Sequence, residues 1–248
     1  MGRPSAAPHA DRPVGLAVGG WQPAPLPPAD LSLQGTFVRL RPLDPDTDAA
    51  PLFEEMRGHP WLFDYLGEPP PARASDLAAI LRVWTEGPHR TFAIEAADGP
   101  GPVGYACLMN AVPAHGDIEI GNVNLGPSLQ GTTAATEAFF LLIDWAIDVG
   151  YRRVCWKCNA LNAPSRRAAQ RLGFSYEGLF RNHLIVKGRN RDTAWFALTD
   201  EDWTRLRPVI AGWLSPEVQS SDGTARQRLS TLTAPLLVRT DPDVPPSR

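Results

Sequence analysis

The apolar residues of this chain recur with two different periods, which follow one another along its length. Residues 35–43 alternate, with Val38 and Leu40 on one face, as in a strand with one buried side. Residues 132–149 are apolar except for one narrow stripe, which predicts a largely buried helix. Further strands are predicted at 91–96, 103–111, 116–125, 153–158, 174–187 and 191–198, and further helices at 44–57, 74–86, 163–172 and 200–214. This order indicates a mixed α/β fold with antiparallel hairpins, not a doubly wound parallel sheet.

The strand predicted at 116–125 changes its buried face partway along. Ile118 and Ile120 share one parity, whereas Val123 and Leu125 share the other. One extra residue in a strand, a β-bulge, produces such a shift. We therefore expect a bulge at Gly121–Asn122, which bends the strand away from its neighbour and frees backbone groups for a ligand.

A turn of small residues joins this strand to the helix that begins near Thr132. The first N–H groups of a helix have no partner within it, and the helix dipole places partial positive charge there. Residues 125–135, which we call the anion-binding turn, are therefore a candidate site for a phosphate or pyrophosphate group. An ordinary strand-to-helix turn with a Thr cap explains the same residues, and both interpretations stay open.

Composition limits the compartment and the partners. A net charge of -3 over 248 residues gives no reason to expect nucleic acid or an anionic membrane. No apolar run approaches a membrane span, the N-terminus lacks a signal-peptide core, and three cysteines fit a reducing compartment, so we expect a cytoplasmic protein. The Pro-rich residues 1–30 are expected to be a disordered or loosely docked arm, 31–214 the folded domain, and 215–248 a disordered tail.

Cys155 and Cys158 have the spacing of a metal or redox pair. They fall on a predicted strand, where residues three apart point to opposite faces. The two sulfurs therefore cannot bind one ion, and we expect core packing and no metal site.

Four short motifs carry a resemblance to a known family. They are QGTTAA at 130–135, NALNAPS at 159–165, RLGF at 171–174 and EG at 177–178. With the order of elements, they resemble the GCN5-related N-acetyltransferases (GNAT) over about residues 33–214, and most of all the RimJ/RimL-type branch. The resemblance implies a GNAT fold, with a central, mostly antiparallel twisted sheet of about seven strands, flanked by helices and splayed between the fourth and fifth predicted strands.

The resemblance also implies acetyl-CoA as the cofactor. Its implied binding residues are Asn122, Val123, Asn124, Leu125, Gln130, Gly131, Thr132, Thr133, Ala134, Ala135, Asn159, Asn162, Ser165 and Arg167. Thr133 stands where the family motif has its inner Gly, so binding through the backbone requires a negative φ there. The Thr hydroxyls would add hydrogen bonds, and succinyl-CoA or another acyl-CoA is the alternative donor. Asn162 as a plain helix cap is the alternative to its binding role.

Acyl transfer to an amine requires a group that removes a proton from the ammonium ion. Glu119, beside the expected bulge, is the candidate general base, directly or through water. The alternative is a solvent-facing charge on a half-exposed strand. Free N–H groups at residues 122–124 would polarise the thioester carbonyl. Ala169 stands where other branches of the family often carry a Tyr as general acid, so the acid for the leaving thiolate is Ser165 or water, or the thiolate leaves unaided.

Aromatic and charged residues indicate a site for the acceptor amine. Trp61, Tyr65 and Trp84 are candidate walls, Asp64 a charge for a cationic amine, and His183 a further candidate, with core packing as the alternative. The expected reaction is direct transfer in a ternary complex to a primary amine of a protein N-terminus or a small molecule. A non-catalytic acyl-CoA sensor is the alternative from another class, and a homodimer is among the oligomeric states left open.

Overall fold

The computed structural model describes residues 14–219 and 227–245. Its strands span Leu33–Gln34 (β1), Val38–Pro42 (β2), Arg90–Ala96 (β3), Pro102–Val112 (β4), Asp117–Leu125 (β5), Arg153–Asn159 (β6), Ser175–Val186 (β7) and Arg189–Thr199 (β8). Within the described residues these eight strands form one sheet in the order β1-β2-β3-β4-β5-β6-β8-β7. The predicted mixed, mostly antiparallel fold is confirmed, with one strand more than expected. The extra strand is β1, which at two residues is too short to produce a period-two pattern.

Helices cover both faces of the sheet. They span Pro45–Met56 (α1), Ala74–Thr85 (α2), Thr133–Asp148 (α3), Ala163–Arg171 (α4), Asp200–Leu214 (α5) and Leu229–Thr233 (α6). The helices α3, α4 and α5 enclose the main apolar core, which includes Phe139, Leu172 and Leu206. A second apolar cluster lies under α1 and α2 and includes Leu52 and Leu77. In the described part of the chain, each helix is too short or too polar to cross a membrane.

The sheet opens between β5 and β6, its one parallel pair. These strands pair only from Asp117 with Arg153 to Glu119 with Cys155. Beyond that point β5 continues to Leu125 and β6 to Asn159 without pairing. The predicted splay is therefore confirmed, and it leaves the facing edges of both strands open to a ligand.

A bulge lies on β5 where the pattern of buried residues predicts it. Tyr105 of β4 pairs with Asn124, and Cys107 pairs with Gly121, so two steps on β4 face three on β5. Asn122 lies in this interval and has a φ of 46°, in the left-handed region. Asn adopts this conformation more readily than most residues do, so it is a favourable residue at the bulge.

The described part of the N-terminal arm, residues 14–30, contains neither helix nor strand. Two of its carbonyl groups are nevertheless bound to the domain. The carbonyl of Pro25 accepts a hydrogen bond from the Tyr151 hydroxyl at 2.8 Å, and that of Pro27 accepts one from Nε of Arg90 at 2.8 Å. Residues 1–13 of the predicted arm lie outside the described residues.

The C-terminal segment differs from the expectation of a disordered tail. In the described residues 227–245 it forms the helix α6 and packs against α4 and α5. Asp241 is fully buried and binds Arg166 of α4 through two hydrogen bonds of 2.7 Å. The Ser-, Thr- and Pro-rich composition suggested disorder, but a buried arginine on α4 gives this segment a specific charged partner. Residues 220–226 and 246–248 of the predicted tail lie outside the described residues.

Candidate active site

The carboxylate of Glu119 lies inside the protein, at the point where β5 leaves β6. The residue is only 5% exposed. Its Oε2 atom accepts a hydrogen bond from Nδ2 of Asn110 at 2.8 Å and pairs with Nζ of Lys157 at 2.9 Å. The alternative expectation of a solvent-facing charge is therefore wrong. The short helix Pro60–Phe63 also contacts β5.

The other carboxylate oxygen of Glu119, Oε1, accepts no hydrogen bond from the residues that the structure describes. It lies beside Gly121, where an added Cβ would come within 3.1 Å of it. Any side chain at position 121 would therefore crowd the carboxylate. Oε1 is the oxygen that is left to accept a proton or a substrate hydrogen bond.

The anion-binding turn both caps α3 and leaves backbone donors at its start. Oγ1 of Thr132 accepts a hydrogen bond from the N–H of Ala135 at 3.1 Å and donates one to the carbonyl of Leu129 at 2.7 Å. The N–H groups of Gly131 and Ala134 donate to no group among the described residues. These free donors lie at the positive end of the helix dipole, as an anion site requires. The two interpretations of the turn therefore do not exclude each other.

The backbone of Thr133 is compatible with anion binding by the turn. It is the first residue of α3 and is not among the residues with positive φ, so it meets the backbone condition. Its side chain is buried, and its hydroxyl donates to Oε1 of Gln219 at 2.8 Å. Both Thr hydroxyls of the turn thus donate to protein groups, and the expected extra hydrogen bonds to a ligand are not available in this arrangement.

The larger of two cavities, about 580 Å³, runs from the turn to the opening between β5 and β6. The predicted coenzyme residues that line it are Val123, Asn124, Leu125, Gln130, Gly131, Ala135, Asn162, Ser165 and Arg167. The predicted aromatic walls Trp61 and Tyr65 line it as well. Thr132, Thr133 and Ala134 line neither cavity. A groove that reaches from the backbone donors of the turn to an open strand edge fits an extended, anion-bearing ligand.

The start of α4 places two polar side chains at this strand edge. Oδ1 of Asn162 accepts a hydrogen bond from the N–H of Ser165 at 3.1 Å, which is the predicted helix cap. The hydroxyl oxygen of Ser165 accepts one from Nε1 of Trp156 at 3.0 Å. Both residues line both cavities, so capping leaves them facing the space where the cavities meet.

The smaller cavity, about 260 Å³, contains Glu119. Asn122 and Asn159, predicted to bind the coenzyme, line this cavity and not the larger one. Trp84 also lines it and donates from Nε1 to the Glu68 carboxylate at 3.2 Å, so this ring is part of the cavity wall. The residues shared by the two cavities are Tyr65, Leu66, Val123, Trp156, Asn162 and Ser165. The cavities therefore join beside the bulge.

Two of the predicted acceptor residues lie apart from these cavities. Asp64 is exposed and lines neither of them. His183 on β7 lies 3.0 Å from the Thr193 hydroxyl through Nδ1 and packs edge-on against Phe180. The structure therefore does not bring Asp64 or His183 together with Glu119.

The three thiols are poorly suited to form an acyl-enzyme. Burial raises the pKa of Cys107 to about 11, of Cys155 to about 12 and of Cys158 to about 11. A thiol with such a pKa is almost entirely protonated at neutral pH, and the thiolate is the nucleophile. Cys158 is the thiol that lines the smaller cavity, and it too is held in its unreactive form.

Sequence reasoning missed three charged or polar residues near Glu119: Asn110, Lys157 and Arg191. Asn110 and Lys157 bind the carboxylate, and Lys157 and Arg191 line the smaller cavity. The alternation along β6 places Lys157 on the same face as Cys155. Only the strand register shows that Cys155 pairs with Glu119, so that Lys157 lies on the Glu119 side of the sheet. Arg191 comes from β8, more than 70 residues from Glu119 along the chain, and no local pattern links the two.

Comparison with known proteins identifies the family. The family model described as "Acetyltransferase (GNAT) domain" matches residues 38–175. A GCN5-related N-acetyltransferase from Brucella melitensis is 38% identical, with a TM-score of 0.83 over 88% of this chain and 100% of that chain. A protein from Chromobacterium violaceum ATCC 12472, described as one of the "probable acetyltransferases (GNAT family)", is 36% identical, with a TM-score of 0.74 over 78% of this chain and 98% of that chain.

A more distant structure shares the fold. The Microcin C7 self immunity acetyltransferase MccE, solved in complex with acetyl-CoA and AMP, is 21% identical, with a TM-score of 0.60 over 70% of this chain and 98% of that chain. No curated protein sequence matches this chain significantly. The family model spans more than half of the chain, and the solved relatives match it along nearly their whole length. The chain belongs to the GNAT acetyltransferases, enzymes that transfer an acyl group from an acyl-CoA to an amine.

Proposed function

We propose that this protein is an N-acetyltransferase that transfers the acetyl group of acetyl-CoA to a primary amine by direct attack in a ternary complex. One observation carries the proposal: the buried Glu119 carboxylate, with Oε1 unbonded, lines the smaller cavity, which joins the groove that starts at the α3 N-terminus. The elevated thiol pKa values support direct transfer over an acyl-enzyme.

The donor is proposed to occupy the larger cavity. The free N–H groups of Gly131 and Ala134 would bind its diphosphate, and Arg167 lies further along the same groove. The open edge of β5 from Val123 to Leu125 would bind its amide-bearing arm. Acetyl-CoA is the donor we propose, in line with the thioester present in the MccE complex. Succinyl-CoA is the alternative that a donor screen would detect.

The chemical step would use residues of the smaller cavity, near its junction with the groove. Oε1 of Glu119 would take the proton from the acceptor ammonium, so that the neutral amine attacks the thioester carbonyl. The N–H groups freed by the bulge near Asn122 would stabilise the negative charge that develops on the carbonyl oxygen. The Ser165 hydroxyl, held by Trp156, would donate a hydrogen bond to the departing thiolate.

We further propose the RimJ/RimL-type branch and a cytoplasmic location. The motifs at 159–165 and 171–178 support the branch, and Asn162 and Ser165 of the first motif lie together at the start of α4. All three cysteines are free thiols, as expected in a reducing compartment.

The test compares Glu119→Gln with the matched variant Asp117→Asn, a change of the same kind two residues earlier on β5. Asp117 lines neither cavity and accepts a hydrogen bond from the Cys155 thiol. With acetyl-CoA and a panel of primary amines, thiol release should fall by about 100-fold or more in Glu119→Gln and little in Asp117→Asn. Calorimetry should show the same affinity for acetyl-CoA in both variants. Equal turnover of wild type and Glu119→Gln would reject the base role, whereas acetyl-CoA binding without turnover of any amine would favour a sensor.

A further inference from the structure

Arg191 is a half-buried cation that lines the smaller cavity and has no hydrogen-bond or ion-pair partner among the described residues. Its side chain takes part in none of the hydrogen bonds or ion pairs seen among the described residues, and its Nε is buried without any acceptor. Burial lowers the pKa of Arg191, yet a guanidinium group stays protonated in proteins. A buried charge that lacks a counter-ion is unfavourable, so this arrangement needs a reason.

Two arginines of α4, by contrast, do have partners. Arg166 binds the carboxylate of Asp241, and Arg171 donates to the hydroxyl of Thr136 at 2.6 Å. Within the smaller cavity, the charge of Glu119 is already matched by Lys157 at 2.9 Å. Glu119 also attracts Arg191 through space, but one carboxylate that faces two cations leaves a net positive charge in this cavity, which makes it attractive to an anionic group.

The position of Arg191 separates it from the coenzyme groove. It lines the smaller cavity and is not part of the larger one. Strand register places Arg191 on the same sheet face as Glu119. Glu119 pairs with Cys155, and Cys155 pairs with Ala197, so these three side chains share one face. Every second residue of β8 lies on that face, which brings the series from position 197 back to Arg191. A carboxylate and a guanidinium thus share one face of one small cavity.

We propose that Arg191 binds an anionic oxygen group, a carboxylate or a phosphate, on the acceptor amine, so that the substrate is a small amine that carries such a group. This inference rests on the proposed function, because it takes the smaller cavity as the acceptor site. The ammonium of the acceptor lies at Oε1 of Glu119 and its anionic group at Arg191, whose planar fork matches either anion. Trp84 and Tyr65 enclose the carbon skeleton between them. The ammonium gives one proton to Glu119, the neutral nitrogen forms a bond with the acyl carbon, the C–S bond breaks, and a second proton from the nitrogen goes to the departing sulfur, which leaves as the thiol of coenzyme A.

The test uses matched amines at saturating acetyl-CoA: the common amino acids against their carboxamides, and O-phosphoethanolamine against ethanolamine. Wild type should favour the anionic member of at least one pair by about 10- to 100-fold in kcat/KM. Arg191→Gln should raise KM for that member by a similar factor, with kcat and turnover of the neutral member nearly unchanged. Arg191→Lys should retain part of the preference. Arg189→Gln, an exposed arginine two residues away on β8, is the control and should behave as wild type.

The two amine series separate a carboxylate from a phosphate. A preference for neutral amines, or for a C-terminally amidated peptide with a free N-terminus, would overturn the inference and leave acyl transfer intact. An unchanged preference in Arg191→Gln would also overturn it. Calorimetric titration of each pair into the wild-type complex with coenzyme A gives the same comparison without turnover. Failure of the proposed function is distinct, because it appears as no thiol release with any amine.

Discussion

Removal of the Asp241 carboxylate should destabilise the protein strongly, because it leaves the Arg166 guanidinium buried without its main counter-ion. The two side chains are 0% and 6% exposed, and two hydrogen bonds of 2.7 Å join them. Loss of one partner of such a buried pair costs about 3–5 kcal/mol. Asp241→Asn retains one acceptor oxygen, so we expect about 3 kcal/mol for it and more for Asp241→Ala.

Asp243 provides the matched control. It contacts the same guanidinium at 3.2 Å, but its side chain is 65% exposed. Water screens this pair, so Asp243→Asn should cost less than about 1 kcal/mol. Urea unfolding followed by tryptophan fluorescence measures all three variants, and the double variant Arg166→Met with Asp241→Leu should be more stable than Asp241→Ala.

Loss of the Asp241 carboxylate should also affect the active site. Arg166 also donates to the carbonyl of Ala160 at 2.7 Å, in the loop that precedes Asn162 and Ser165. Release of this arginine should loosen the start of α4, so Asp241→Asn should also weaken acetyl-CoA binding. Equal stability of Asp241→Asn and Asp243→Asn would refute the reasoning, because it would mean that the C-terminal segment does not dock on α4 in solution.

Three other changes test the local geometry of the site. Gly121→Ala adds a Cβ 2.5 Å from Sδ of Met109 and 3.1 Å from Oε1 of Glu119. Both residues line the smaller cavity, so the variant should lower kcat by about tenfold or more, and a normal kcat would show that crowding there does not reach the reacting groups. Asn122→Val should destabilise the fold by about 1–2 kcal/mol in urea unfolding, because a β-branched residue is strained at a φ of 46°, whereas Asn122→Gly should cost far less. Cys158, with a pKa raised to about 11, should react with iodoacetamide at pH 8 on the order of 100-fold more slowly than free cysteine. Its labelling rate should increase as the pH rises, and the Cys158→Ser variant should retain turnover. Rapid labelling at pH 8 would contradict the burial of this thiol.

Much of the fold could be predicted because its signals are local. The α3 helix, the β7–β8 hairpin and the bulge each follow from a pattern within about 20 residues, and a one-residue shift of parity located the bulge at Gly121–Asn122. The strand β1 escaped prediction because two residues define no period. The docking of the C-terminal segment could not be predicted from the sequence, because it depends on one buried ion pair between residues 75 positions apart.

The site was predicted only as far as neighbouring residues define it. Gln130, Gly131 and Asn162 were found through the turn and the α4 cap, which are short motifs. The surroundings of Glu119 were not found, because Asn110, Lys157 and Arg191 come from three different strands and approach Glu119 only through strand pairing. A lone Lys or Arg on an alternating strand looks like a surface charge until the register is known.

The most direct measurement is a crystal structure of the protein with acetyl-CoA. The account predicts the diphosphate within hydrogen-bond distance of the N–H groups of Gly131 and Ala134, and the acetyl carbonyl beside the β5 bulge, with Glu119 on the side of the smaller cavity. Acetyl-CoA bound in another cleft, with the α3 N-terminus free of the diphosphate, would contradict it.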